Sequence, residues 1–144
     1  MKLEVIKIIL FEELSVKTPK REVLVNISSE INKIVRDSGI KEGVCRIFVP
    51  HTTAGVTINE NADPAVMSDI IAYLKVLIPQ SGGQYAFRHM EGNSDAHLKS
   101  TLTGPSLDVI VHNGKLVLGT WQGIMFAEYD GPRHRKVYIQ ISGE

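Results

Sequence analysis

The stretch LDVIVHNGKLVLGTWQGIMFAEYDGPRHRKVYIQI, residues 107–141, decides the fold class. Short apolar runs alternate in it with residues that are typical of turns. Asn113 and Gly114 form a hairpin-type pair, and an Asp-Gly-Pro tripeptide at 130–132 separates the last two runs. The last third of the chain is therefore predicted to be all β.

Upstream of this stretch the apolar spacing becomes helical. A first helix is predicted to follow Ile27, with Ser28 or Ser29 as its N-cap. Asp63 as N-cap and Pro64 at the first helical position predict the start of a longer amphipathic helix. Two to three helices are expected in all, because a short polar helix is also predicted to begin further on.

The N-terminal third returns to strand-like patterns. Residues 3–14 predict a strand pair or one long strand, residues 22–27 a second segment, and residues 44–50 an alternating strand. Strands clustered at both ends of the chain around the helices do not follow a βαβα order. The predicted class is therefore α+β, with a largely antiparallel or mixed sheet, or a sandwich, as its core.

Length and composition narrow the function classes. The 144 residues, 43% of them hydrophobic, predict a single domain over residues 1–144. Sixteen basic and sixteen acidic residues give no net charge, which argues against a nucleic-acid partner. No apolar stretch suits a membrane span or a signal peptide, so we expect no membrane partner and a cytoplasmic location.

A glycine-rich loop leads into the most polar part of the chain. Residues 80–93 contain three glycines and predict a long, functional loop. If Ser94 begins a helix, His97 projects from its first turn, close to backbone N–H groups that favour an anion such as phosphate. The alternative is that Asn93 or Ser94 only caps the helix, and the two interpretations are compatible.

Histidines also suggest a metal, although without a known motif. His51 follows a predicted strand and opens a polar turn, where ligand-binding residues are common. His51, His89 and His97 are candidate ligands of Zn²⁺, since catalytic zinc takes three protein ligands and a water. Cys45 lies within an apolar strand and is expected to be a buried, inert thiol.

Two features of the C-terminal stretch have two interpretations each. The run DGPRHR at 130–135 is either a solvated hairpin turn or a pair of guanidinium groups, those of Arg133 and Arg135, that bind phosphate or carboxylate oxygens. Trp121 is either a core or subunit-contact residue or an aromatic wall for a ring-shaped substrate.

Together these motifs resemble the YjbQ family of small bacterial and archaeal proteins, also called the secondary thiamine-phosphate synthase family. The matching stretches are HTTA at 51–54, TINENADP at 57–64, RHMEGNSDAHLK at 88–99, GTWQGI at 119–124 and DGPRHR at 130–135. The resemblance implies an α+β domain, a homotrimer and a site near residues 51 and 91–99. It also implies a modest transferase activity that joins a pyrimidine diphosphate to a thiazole phosphate.

The candidate site residues follow from the motifs and the resemblance together. The expected catalytic residues are His51, Glu91, Asp95 and His97. The expected substrate-binding residues are Arg88, Asn93, Ser94, Lys99, Trp121 and Arg133. Lys99 is expected to lie outside the core and to assist the helix start in holding phosphate.

Two functions from different classes remain open. The first is the transferase, with a small phosphorylated molecule as substrate and a divalent metal or cationic side chains neutralising the diphosphate that leaves. The second is a metal- or phosphometabolite-binding protein or a metal-dependent hydrolase. Zinc would favour the second function because Mg²⁺ prefers oxygen ligands to histidine.

Overall fold

The computed structural model describes residues 4–5 and 7–144. That part of the chain contains eight strands and three helices. In chain order they are β1 (Ile8–Lys17), β2 (Val23–Asn26), α1 (Ser28–Ser38), β3 (Gly43–Phe48), β4 (Ala54–Glu60), α2 (Pro64–Leu77), α3 (Ser94–Thr103), β5 (Ser106–His112), β6 (Lys115–Leu116), β7 (Gln122–Glu128) and β8 (His134–Gly143).

The strands form two sheets, and every pair of neighbouring strands is antiparallel. One sheet has the order β1-β8-β3-β5-β6 and the other the order β2-β7-β4. The predicted α+β class is confirmed. The first apolar segment continues as one long strand from Ile8 onward, whereas Leu3, where that segment was expected to start, lies outside the described residues.

The three-stranded sheet is covered on both faces. Phe126 of β7 packs in the core cluster that also holds Ile47 and Ile139 of the five-stranded sheet. Met125, the preceding residue on β7, faces the other way and packs with Ile71 of α2 and the start of α3. Each large side chain buried in this way stabilises the fold by about 1.5–3 kcal/mol. Because both faces of β7 are buried, its sequence is a continuous apolar run and not an alternating pattern.

Of the N-caps predicted for α1 and α2, the one for α2 is confirmed and the one for α1 is wrong. Asp63 accepts a hydrogen bond from the Ala65 backbone N–H at 2.9 Å and caps α2 as predicted. Neither Ser28 nor Ser29 caps α1, because both lie within the helix and the N-cap position is Ile27; the Asn26 side chain accepts the Ser28 backbone N–H at 2.9 Å. The Ser28 hydroxyl instead accepts the backbone N–H of Ile124, which ties the helix to β7.

The Asp-Gly-Pro turn does not close a hairpin. It joins β7 to β8, and these strands belong to different sheets. The turn therefore carries the chain across one end of the sandwich, where the segment after β3 and the start of α3 also lie against it. None of the described helices has the length and apolar character that a membrane span requires.

Candidate functional site

A polar cleft of about 500 Å³ opens at this end of the two sheets. Three segments line it: the turn after β3, the loop and first turn of α3, and the link between β7 and β8. Its ionisable lining residues are His51, His89, Glu91, His97, Asp130, Arg133 and Arg135. The volume lies in the range of small-molecule sites. We call this recess the polar cleft.

Arg135 is the most rigidly held cation of the polar cleft. Its side chain is 6% exposed, and its Nε donates to the two carboxylate oxygens of Glu128 at 2.9 and 3.1 Å. Its Nη2 donates to the Thr53 hydroxyl at 2.9 Å. Glu128 is itself fully buried and also accepts the Thr18 hydroxyl at 2.7 Å. The hydrogen bonds to Glu128 and Thr53 therefore hold the guanidinium in one position. Its Nη1 has no acceptor among residues 4–5 and 7–144.

Arg133 is positioned in a similar way on the more open side. Its Nε donates to the Asp130 backbone oxygen at 2.7 Å and its Nη2 to Asp130 Oδ2 at 3.1 Å. Asp130 Oδ2 also accepts the Asn93 side-chain amide at 3.0 Å. Asn93 stands at the N-cap position of α3 but does not cap it, and its buried Oδ1 has no partner among the described residues. The Arg133 side chain is half exposed, and its Nη1 has no acceptor within the part of the chain that the structure describes.

The Nδ1 atom of neutral His51 is a hydrogen-bond donor and not an acceptor. The Nε2 atom of this ring accepts the Lys136 backbone N–H at 3.0 Å, so the proton of the neutral ring is placed on Nδ1. Burial lowers the pKa of His51 below its usual value, and the nearby Arg135 lowers it further. Neutral His51 is consequently a hydrogen-bond donor at the edge of the polar cleft, which suits an oxyanion.

The other two histidines lie together across the polar cleft. The His89 and His97 rings meet edge to face with centroids 5.4 Å apart, and His89 Nε2 lies 3.5 Å from a carboxylate oxygen of Glu91. No three His, Cys, Asp or Glu side chains in the described chain are arranged to hold a metal ion. The occupied Nε2 of His51 also conflicts with a three-histidine zinc site. The predicted ligand set is therefore not assembled within one chain.

Lys99 and Asp95 do not reach the polar cleft. Lys99 is 1% exposed and lies with its Nζ 2.8 Å from Asp95 Oδ2, and it also pairs with buried Glu22. Arg21 donates to both oxygens of Asp95 at 3.2 and 3.0 Å. Burial acts to raise the pKa of Asp95, but the hydrogen bonds from Arg21 and Lys99 outweigh it and leave that pKa below its usual value. The expectation that Lys99 lies outside the core was wrong.

Three further candidates lie away from the polar cleft. Arg88 and Ser94 line a neighbouring, more apolar recess. Trp121 precedes β7 and is 63% exposed, so its interpretation as a core residue was wrong. Neither recess includes it among its lining residues.

The sequence of the chain is similar to a family of known proteins. The profile of the UPF0047 protein YjbQ-like family matches residues 12–144. The chain belongs to the YjbQ family. A UPF0047 protein of Methanocaldococcus jannaschii is 55% identical over 90% of this chain and 91% of its own length. UPF0047 protein YugU of Bacillus subtilis is 47% identical over 93% of this chain and its whole length.

Solved YjbQ-family structures share the fold. A YbjQ-like protein of unknown function from Sulfolobus solfataricus superposes with a TM-score of 0.89 at 37% identity, covering 96% of this chain and 99% of its own. An uncharacterised YjbQ/UPF0047 protein from Clostridium acetobutylicum gives a TM-score of 0.86 at 48% identity, covering 90% and 98%.

Sequence reasoning missed several residues of this YjbQ-family site. Arg135 was considered only as one of the two guanidinium groups of the DGPRHR run and not as a buried, anchored cation, and Asp130 was considered only as part of the turn. A usable signal was Glu128, a carboxylate that directly follows the apolar run GIMFA at 123–127, because a buried carboxylate requires a cationic partner. The aromatic lining of the second recess, Tyr85 and Phe87, was also missed.

Proposed function

We propose that the polar cleft binds the phosphate groups of a small phosphorylated molecule. The observation that carries this proposal is Arg135, a buried guanidinium that is anchored to Glu128 and Thr53 and borders the cleft, with no acceptor for its Nη1 among the described residues. Holding such a cation in place beforehand lowers the entropic cost of binding an anion. Neutral His51 and half-exposed Arg133 add donors on the same cleft.

The balance of charge favours recognition by directed hydrogen bonds over a general positive field. Arg133 and Arg135 share the polar cleft with the carboxylates of Glu91 and Asp130, so the lining has little net charge when its histidines are neutral. Guanidinium groups hydrogen-bond to phosphate oxygens in a fixed fork geometry. A phosphate group is therefore a better fit than an extended polyanion, whose affinity depends on accumulated positive charge.

The reaction we propose is the transfer implied by the resemblance to secondary thiamine-phosphate synthase. In that chemistry the thiazole nitrogen attacks the methylene carbon of a pyrimidine diphosphate, and the carbon–oxygen bond to the diphosphate breaks. The electron pair of that bond leaves with the diphosphate, so cationic donors that stabilise the developing charge accelerate the step. Arg133, Arg135 and His51 would supply them, and no protein nucleophile is needed.

The proposal also includes a divalent cation bound to the diphosphate. Asp130 Oδ1 accepts no hydrogen bond within the described residues, and Glu91 is exposed on the same cleft. Carboxylate oxygens of this kind suit Mg²⁺. The cation would neutralise leaving-group charge, whereas the protein residues named above orient and bind the phosphate.

Binding of inorganic diphosphate tests the proposed function directly. Calorimetric titration into the wild-type protein should show saturable binding. Arg133→Ala should weaken it by roughly 10- to 100-fold, the equivalent of about 1.5–3 kcal/mol for a hydrogen bond to a charged group. Arg36→Ala is the matched control, because Arg36 is an exposed arginine of α1 that does not line the polar cleft. Absence of binding, or equal weakening by both variants, would contradict the proposal.

The alternative function is a metal- or phosphometabolite-binding protein or a metal-dependent hydrolase. Among the described residues no three such side chains are arranged to hold a metal ion. The His89, His97 and Glu91 side chains beside the same cleft therefore favour binding of a phosphorylated metabolite within this alternative. Product analysis separates the two. A transferase releases diphosphate only when the pyrimidine diphosphate and the thiazole phosphate are both present. A hydrolase releases it from the pyrimidine diphosphate alone, and zinc retained by carefully purified protein would support the same alternative.

A further inference from the structure

Thr18 replaces one backbone hydrogen bond of an antiparallel ladder with a bond to its own side chain. It directly follows β1 and, by continuation of the β1–β8 register, stands opposite Arg133. The Thr18 backbone N–H donates to the Arg133 backbone oxygen at 2.9 Å. In a regular pair the Arg133 N–H would donate to the Thr18 carbonyl in return. It donates instead to the Thr18 hydroxyl oxygen at 2.8 Å, so the position of the Arg133 backbone depends on this side chain.

The same hydroxyl also bonds to the carboxylate that anchors Arg135. It donates its proton to Glu128 Oε1 at 2.7 Å, because a carboxylate is the stronger acceptor and the Arg133 backbone oxygen lies further away at 3.1 Å. Glu128 Oε1 accepts one other hydrogen bond within the described chain, from Arg135 Nε at 2.9 Å. The Thr18 hydroxyl therefore helps to hold the carboxylate that fixes the Arg135 guanidinium.

Thr18 is not part of the surface that a ligand would contact. It is 2% exposed and is not among the residues that line the polar cleft. The turn before Arg133 packs directly on it, since a Cβ on Gly131 would lie 2.9 Å from Thr18 Oγ1 and 2.8 Å from Glu128 Cγ. Within the part of the chain that the structure describes, no other hydroxyl donates to Glu128. The link between the turn and the carboxylate thus depends on this one side chain.

We infer that Thr18 is a positioning residue of the phosphate site, whose single hydroxyl fixes the Arg133 backbone and the Glu128–Arg135 ion pair relative to each other. Thr18 acts only through the two guanidinium groups. A ligand that bonds to both arginines requires them at a fixed separation, so loss of the hydroxyl raises the entropic cost of binding. This inference rests on the proposed function and adds a residue outside the polar cleft on which that function depends.

Thr18→Val, which replaces the hydroxyl by a methyl group of similar size, tests the inference with inorganic diphosphate as the probe. In calorimetric titration the variant should bind diphosphate about tenfold more weakly than the wild-type protein, the equivalent of one hydrogen bond. Thr18→Ser keeps the hydroxyl and should retain the wild-type affinity. Thr103→Val is the matched control, because the Thr103 hydroxyl bonds to the Lys99 backbone oxygen and the Tyr129 hydroxyl and does not line the polar cleft.

A measurement without ligand separates positioning from a general loss of stability. The Arg135 Nε–H signal in the NMR spectrum of nitrogen-labelled protein should shift in Thr18→Val and stay unchanged in Thr103→Val. Thr18→Ala, which adds no methyl group beside Glu128, provides the same test if Thr18→Val does not fold.

The outcomes distinguish this inference from the proposed function. Wild-type affinity in the variants that lack the Thr18 hydroxyl, equal weakening in Thr18→Ser, or equal weakening in Thr103→Val would overturn the inference while leaving the proposed function intact. Absence of diphosphate binding by the wild-type protein would overturn the proposed function and the inference with it.

Discussion

Lys99 Nζ lies 2.8 Å from Asp95 Oδ2, one helical turn away on α3, and both side chains are buried. Glu22 beside β2 completes the arrangement as a second carboxylate partner of the lysine. The pair therefore attaches α3 to the three-stranded sheet from the inside. The first turn of α3 borders the polar cleft. This buried network therefore positions that part of the site, although its own side chains do not line the cleft.

We predict that Lys99→Met lowers the free energy of unfolding by about 3 kcal/mol, because it leaves two buried carboxylates with less compensation. This loss lies at the lower end of the usual cost of breaking a buried ion pair, because Arg21 still pairs with Asp95. Urea denaturation measures it. Lys33→Ala is the control: Lys33 forms an exposed i,i+4 pair with Asp37, whose loss should cost much less than the loss of a buried pair. Similar losses for both variants would contradict a structural role for Lys99.

The burial of Lys99 illustrates what the sequence could not provide. Leu98 and Leu102 of α3 are exposed, whereas Asp95 and Lys99 are buried, which reverses the usual amphipathic rule. The partner Glu22 is 77 residues away in the chain, and no local pattern indicates that pairing. A polar helix can turn either face inward when distant charges compensate it, so periodicity alone predicted the helix but not its orientation.

Other parts of the fold were predictable because their signals are local. Asp63 followed by Pro64 specified the start of α2, and Asn113 with Gly114 specified a tight turn in which both residues have positive φ. The clustering of His51 with His97 was anticipated by the hypothesis of a shared metal site and by the resemblance to the YjbQ family, but not by any local spacing. The Arg135–Glu128 pair was not anticipated, because the expected hairpin between β7 and β8 gave no reason to look for a buried ion pair across two sheets.

We predict that His51 makes the fold less stable as the pH falls. Its pKa is lowered in the folded protein, so the unfolded chain takes up the proton at the higher pH, near 6.5. The stability it contributes is full above that value and decreases as the pH drops toward the lowered pKa. Unfolding of the wild-type protein and His51→Gln at pH 7.5 and 5.5 should show a smaller pH effect in the variant. An identical pH effect in both proteins would refute this assignment.

Cys45 should be unreactive in the folded protein. It is fully buried in β3, and burial raises the pKa of its thiol to about 12. At pH 8 this leaves about one thiol in ten thousand as the reactive thiolate. An aromatic disulfide reagent should therefore detect no thiol in the native protein over several minutes and one per chain after unfolding in guanidinium. Rapid reaction of the native protein would show that β3 opens readily.

The last prediction concerns assembly: we expect the chain to form a homotrimer, as the resemblance to the YjbQ family implies. The outer face of the five-stranded sheet gives a physical motive. The strand registers place Ile9 of β1 and Ile110 of β5 in one row of that face, and the two side chains are 74% and 62% exposed. Phe11 lies in the next row of that face, together with the Arg46–Asp108 ion pair, and Phe48 lies in the row after it. Exposed apolar side chains grouped on one face mark interaction sites in proteins, and covering them contributes about 25 cal/mol per Å². Sedimentation equilibrium at micromolar concentration should give three times the single-chain mass of 15.9 kDa. A mass equal to one chain would contradict assembly, and a mass of two chains would contradict the trimer.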